Sequence, residues 1–131
     1  MEKLNENTNA INWFEIPMTN TERAKKFYET IFDIQMKRVD LGGFEMVFFP
    51  SSDNMIGKVS GALVKGDMHK PSMDGAVIYL NANPDMQLII DRIVANGGKI
   101  LMPRTLVNEQ VGYMAFFVDT EGNRLALHAE K

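Results

Sequence analysis

Few side chains in this chain can do chemistry, so a handful of positions carry the question. The 131 residues include two histidines, His69 and His128, and no cysteine. Glu15 stands between Trp13 and Pro17 in residues 11–18 (INWFEIPM), where polar and apolar types alternate. A carboxylate among apolar neighbours suits general acid or base work, because desolvation favours its neutral form. The other reading makes Glu15 structural, satisfied by a backbone amide or by an arginine such as Arg124 or Arg104. His128, in the final apolar stretch, has the chemistry to shuttle a proton or hydrogen-bond a ligand near neutral pH. Its alternative is a partly exposed histidine at the end of a terminal strand. His69 falls in the polar segment GDMHKPSMD and reads as solvated, without a role. The lack of cysteine removes disulfides, thiolate nucleophiles and cysteine-based zinc sites together. No G-x-S-x-G, C-x-x-C or H-E-x-x-H is present, and Gly97-Gly98 follows a helical pattern rather than opening one. Nucleophilic catalysis has no obvious agent here.

The elements that must position these residues form a repeat. Residues 11–66 read strand, helix and three strands, and residues 75–130 read the same way, with 67–74 as linker. In the first copy Thr19-Asn20-Thr21-Glu22 reads as a capping box, with Thr19 as cap. The helix after it sets Ala24, Phe27, Tyr28, Ile31 and Phe32 along one face. Strands are expected near 35–40, 44–49 and 58–65, with a polar loop from 50 to 57. In the second copy, strand 76–81 leads to Asn83-Pro84 as cap and first helical residue, then a stripe of Met86, Ile89, Ile90, Ile93 and Val94. Strands near 99–103, 112–118 and 124–129 follow, the last two joined by a turn over 119–123. Laying Gly57 on Gly122 places Gly61 on Ala126. Neither copy buries its sheet alone, so the expected fold is α+β: two tandem β-α-β-β-β modules in a single domain spanning 1–131. They form a cupped mixed sheet with the helices outside and a cleft within.

Composition narrows the partners. A net charge of −3 and a pI near 5.4, without basic clusters, give no electrostatic footprint for nucleic acid. The apolar runs are too short to span a membrane and the first ten residues are polar, which points to the cytoplasm. Ten methionines suit core filling or an adaptable pocket.

The stretches WFEIPMTNTERAKKFYETIF, VANGGKIL and VDTEGNRLALH together resemble the vicinal oxygen chelate superfamily, which includes glyoxalase I, bleomycin resistance proteins and extradiol dioxygenases. The last stretch is similar to that superfamily's Asp-Pro-x-Gly-Asn turn, with Thr120 in place of proline. Within the superfamily the chain looks like the bacterial glyoxalase-related proteins. The resemblance implies a divalent metal held by two ligands from each copy. Those positions fall at Trp13, Gly61, Ala76 and Ala126, with Ile78 competing for the third, and none of these side chains can ligate a metal. No metal and no other cofactor is therefore expected. Period-two geometry then sets Glu15 beside Trp13 and His128 beside Ala126 on the concave face. Glu15 and His128 become the candidate acid–base pair, and Trp13, Gly61, Ala76, Ile78, Phe117 and Ala126 the candidate substrate contacts. Trp13 offers a stacking surface or else plugs the space of the ion. Tyr113, Met114, Phe116 and Phe117 share a strand that must send some of them inward, whereas Tyr79 is expected to pack under the second helix. The family also implies a homodimer. Two functions fit: binding of a small, partly apolar molecule without a metal, or an enzyme, either a lyase or isomerase acting on a carbonyl or enol through Glu15 and His128 or one that depends weakly on a metal held by that pair and waters. An interaction module without a ligand is a third.

Overall fold

Alternation along each strand and a 3.6-residue stripe along each helix bury one face of every element, and those faces meet in one core. The computed structural model describes residues 2–52 and 58–131. The first module comprises β1 (Trp13–Pro17), α1 (Thr21–Phe32), β2 (Lys37–Leu41), β3 (Phe44–Phe48) and β4 (Ser60–Lys65). The second comprises β5 (Tyr79–Asn81), α2 (Met86–Ala95), β6 (Lys99–Asn108), β7 (Gly112–Val118) and β8 (Arg124–Ala129). Their sheets run β1-β4-β3-β2 and β5-β8-β7-β6, with the first pair parallel and the others antiparallel. This is the expected pair of β-α-β-β-β modules. Each module closes on its own mixed sheet, and no ladder joins the two among the described residues.

The predicted stripes are the buried ones. Ala24, Phe27, Tyr28 and Ile31 of α1, and Met86, Ile89, Ile90 and Ile93 of α2, join Ile16, Val47 and Leu63 of the first sheet and Leu80, Ala115, Phe117 and Leu127 of the second. Burying each large side chain contributes roughly 1.5–3 kcal/mol. Val94, placed on the α2 stripe by sequence, faces solvent.

The helix starts differ from the sequence reading. Asn20, not Thr19, caps α1, its side chain accepting from the Arg23 amide at 3.0 Å. Thr19 is engaged elsewhere: its backbone N–H and that of Asn20 both donate to Glu121 Oε1 at 2.8 Å. Asp85 caps α2, and Asn83-Pro84 precedes it as a cis peptide. The strand opening the second module is shorter than expected, 79–81 rather than 76–81, and β6 runs on to Asn108.

A polar seam locks the second module's β7–β8 turn to the first module. Asp119 Oδ1 accepts the amides of Glu121 and Asn123, while its Oδ2 accepts the Tyr28 hydroxyl at 2.7 Å and the Asn123 amide group at 2.9 Å. Asn123 also donates to the Pro17 carbonyl at 2.7 Å, and Gly122 supplies the left-handed conformation at φ 93°. Tyr28 is fully buried, and that burial, with Asp119 beside it, pushes its phenol well above the usual range. Burial alone would raise the Glu121 carboxyl, but the Arg23 guanidinium 2.7 Å away and the two backbone amides outweigh it and hold the group at about 2.

Candidate functional site

Each sheet keeps one face away from the helices, and the registers show what stands there. On β1, Phe14 and Ile16 turn toward the core while Trp13 and Glu15 turn to the other face. Across the first sheet Glu15 pairs with Ala62, Ala62 with Phe48, and Phe48 with Lys37. Ala62 is fully buried, and its small side chain lets Trp13 and Phe48 meet edge to face with ring centroids 5.6 Å apart. Met46, Ala62, Val64 and Phe48 form a second, smaller apolar cluster on this side.

Glu15 is held from two sides. Trp13 Nε1 donates to its Oε2 at 3.3 Å, and His69 Nε2 lies 2.7 Å from its Oε1. The linker brings His69 there through a tight turn in which the His69 amide donates to the Gly66 carbonyl at 3.1 Å. A side chain at Gly66 would run into the Phe44 ring, so glycine lets the turn settle on the sheet. Phe44 in turn meets the imidazole edge to face at 5.7 Å. His69 is therefore not solvated as the polar linker suggested; its side chain is 18% exposed, against 37% for Glu15. The carboxylate's partners are His69 and Trp13, rather than the backbone amide or arginine considered from sequence. Sequence periodicity had no means of finding His69, because the linker has no period; Gly66 and Phe44 were the available signals.

His128 lies on the second sheet, where its Nε2 donates to the Val111 carbonyl at 2.6 Å. No hydrogen bond or ion pair joins Glu15 to His128 among the described residues. Ala126 lies fully buried on the helix-free face of that sheet, opposite both Tyr79 and Phe116, whose rings meet edge to face at 5.9 Å. Tyr79 is half exposed and does not pack under α2. Phe117 is fully buried against Phe27 in the core, so Phe116, not Phe117, takes the helix-free face.

The two modules superpose with Glu15 on Tyr79, Ala62 on Ala126 and Phe48 on Phe116, by their ladders. Gly61 is thus one residue out of register: it pairs with Phe14, and a side chain there would strike the Phe14 ring. A one-residue slip sends a side chain to the opposite face. Gly57, the anchor of the sequence alignment, lies outside the described residues. Ala76 is exposed ahead of β5, and Ile78 packs against the core and lines a separate hollow. That hollow, about 1040 Å³, lies between the modules and is lined by Ile11, Phe14, Ile34, Phe49, Ile78 and Leu88 among others.

Residues 10–127 match the family described as Glyoxalase/Bleomycin resistance protein/Dioxygenase superfamily. The chain belongs to that superfamily. A glyoxylase-like domain-containing protein of Didymella fabae is 30% identical over 122 residues, covering 89% of this chain and 91% of the relative. Among solved structures, a glyoxalase/bleomycin resistance protein from Albidiferax ferrireducens superposes with a TM-score of 0.66 at 17% identity, covering 94% of this chain and all of the other. Glyoxalase I from Zea mays gives a TM-score of 0.63 at 17% identity; the match covers 90% of this chain and only 45% of the maize protein. At these identities the structures speak for the shared glyoxalase fold. The ion implied by the family does not fit the donors in place. Trp13 spends its indole N–H on Glu15, Gly61 faces the core, Ala76 and Ala126 offer no donor, and Glu15 with His69 make two. Among the described residues no three His, Asp or Glu side chains converge, whereas a dedicated transition-metal site takes three or four ligands. No helix among the described residues is long and apolar enough to cross a membrane.

Proposed function

We propose that this glyoxalase-superfamily chain binds a small, partly apolar molecule on the helix-free face of its first sheet. One observation carries the reading: Trp13 remains 43% exposed against Phe48, next to a carboxylate fixed by His69, whose ring Phe44 meets edge to face. An exposed indole over an apolar floor with one oriented polar group is the usual composition of a small-molecule site. Trp13 is the only tryptophan, so its emission reports directly on this face. Saturable quenching by members of a small-molecule panel, lost in Trp13→Phe by a second readout such as calorimetry, is the expected result. A panel that leaves both emission and calorimetric heat unchanged would sink the proposal.

A second reading, a lyase or isomerase acting on a carbonyl or enol, is favoured by the 2.7 Å contact between Glu15 and an imidazole. There Glu15 is the acid–base group, and His128 takes part only where another copy of the chain carries the second sheet to it. Under this reading Glu15→Gln abolishes turnover of a hit while changing its Kd by about twofold or less, since only an interaction specific to the transition state is lost. A homodimer is proposed on the same grounds. The exposed edge strand β6, with Leu101, Leu106 and Val107 uncovered, supports it, and light scattering tests it.

A further inference from the structure

We infer that Glu15 is the recognition point for a planar organic cation, an amidinium, guanidinium or protonated aromatic amine, laid against Trp13. This rests on the binding reading above and adds the charge and shape of the ligand. Among the described residues His69 Nδ1 is buried without a hydrogen-bond partner. A carboxylate oxygen can only accept, so the ring nitrogen that faces Glu15 is one that carries a proton. A proton therefore sits on Nε2 and is donated to Glu15 Oε1. Glu15 then accepts from two donors, the imidazole Nε2–H and the indole Nε1–H, one on each oxygen. The two contacts orient the carboxylate on the face of the sheet.

An ionised carboxylate offers about four acceptor directions, and two are taken. One free direction remains on each oxygen of a side chain that is 37% exposed. Two parallel N–H donors on a flat, charged group fit that pair in the fork geometry that arginine makes with carboxylates. The exposed part of the indole supplies the apolar and cation–π contact for the rest of such a ligand. The nearest cation in the same cross-sheet row is Lys37, three strands from Glu15. That places it about 14 Å away, beyond the ~8–10 Å over which exposed charges interact in salt. Across the repeat, Tyr79 holds the place of Glu15, so the second sheet has no matching anion there.

Benzamidine, benzamide and benzoate share one ring and differ in charge, which makes them the test probes against Trp13 emission, with calorimetry alongside. Benzamidinium is expected to quench saturably, with benzamide and benzoate about tenfold weaker or more, and Glu15→Gln to lose about tenfold for benzamidinium alone. His69→Ala, which frees the carboxylate and the turn, should weaken benzamidinium several-fold, and His69→Gln, which restores an N–H donor, should recover most of that loss. If benzamide binds as tightly as benzamidinium, the cation inference falls while the small-molecule site stands. If benzamidinium does not bind, or Glu15→Gln leaves its Kd unchanged, the inference is wrong. Failure of every ligand on this face, neutral ones included, overturns the broader binding proposal instead.

Discussion

Replacing Glu121 by glutamine removes one charge from the seam between modules and should make stability depend less on pH. The carboxyl is held at about 2 against an ordinary 4.5. That difference of about 2.5 units corresponds to a ceiling of roughly 3.4 kcal/mol at neutral pH. Arg23 is half exposed, with 48% of its side chain open to water, and solvent screening brings the expected contribution down to about 1–2 kcal/mol. Because the folded-state value is depressed, this stabilisation is fully present above the unfolded value of about 4.5 and is lost as pH falls toward 2. By pH 3 the unfolded carboxyl is mostly protonated while the folded one is still mostly ionised, so about three fifths of the contribution is gone. Urea unfolding of wild type and Glu121→Gln at pH 7 and pH 3 measures this. The variant should be about 1–2 kcal/mol less stable at pH 7, and the gap should shrink to less than half at pH 3. An equal gap at both values would mean that shape and hydrogen bonding, not charge, hold the seam. No gap at all would show that the contact with the α1 start contributes nothing.

Tyr28→Phe removes the buried hydroxyl that Asp119 accepts at 2.7 Å, and chemical denaturation should show a loss of about 1.5–3 kcal/mol. Phe117→Ala should cost about 3–5 kcal/mol because the ring is fully buried, while Phe116→Ala, on the helix-free face, should cost clearly less; a reversed order would contradict the strand register. Gly66→Ala forces a methyl group against the Phe44 ring, so a stability loss of about 1–3 kcal/mol is expected. Displacing His69 should also shift Trp13 emission, through the carboxylate they share.

What could be read in the sequence was what short-range periodicity encodes. The stripe of Phe27, Tyr28 and Ile31 needed only a 3.6-residue repeat, and the turn over 119–123 only its residue types. The faces of strands needed a register, and register is set by pairing rather than by the strand itself. That is why Gly61 stood in for Ala62, Phe117 for Phe116, and why Tyr79 was assigned to the wrong side. Long-range contacts were hidden for a related reason. Thr19 looked like a cap until Glu121, 102 residues away, claimed its amide. The Glu15–His69 pair depends on how a linker without a pattern folds back across 54 residues of chain. Chemistry was legible as residue type, and its partners were not.

The segment carrying His69 joins the two copies and has no counterpart in the repeat. Duplication supplies two sheets, but a joining peptide occurs once. The anion it orients, Glu15, is likewise answered by a phenol, Tyr79, on the other sheet. Titration should therefore saturate at one equivalent of cation per chain, whatever the number of chains assembled, even though the scaffold is built of two similar halves.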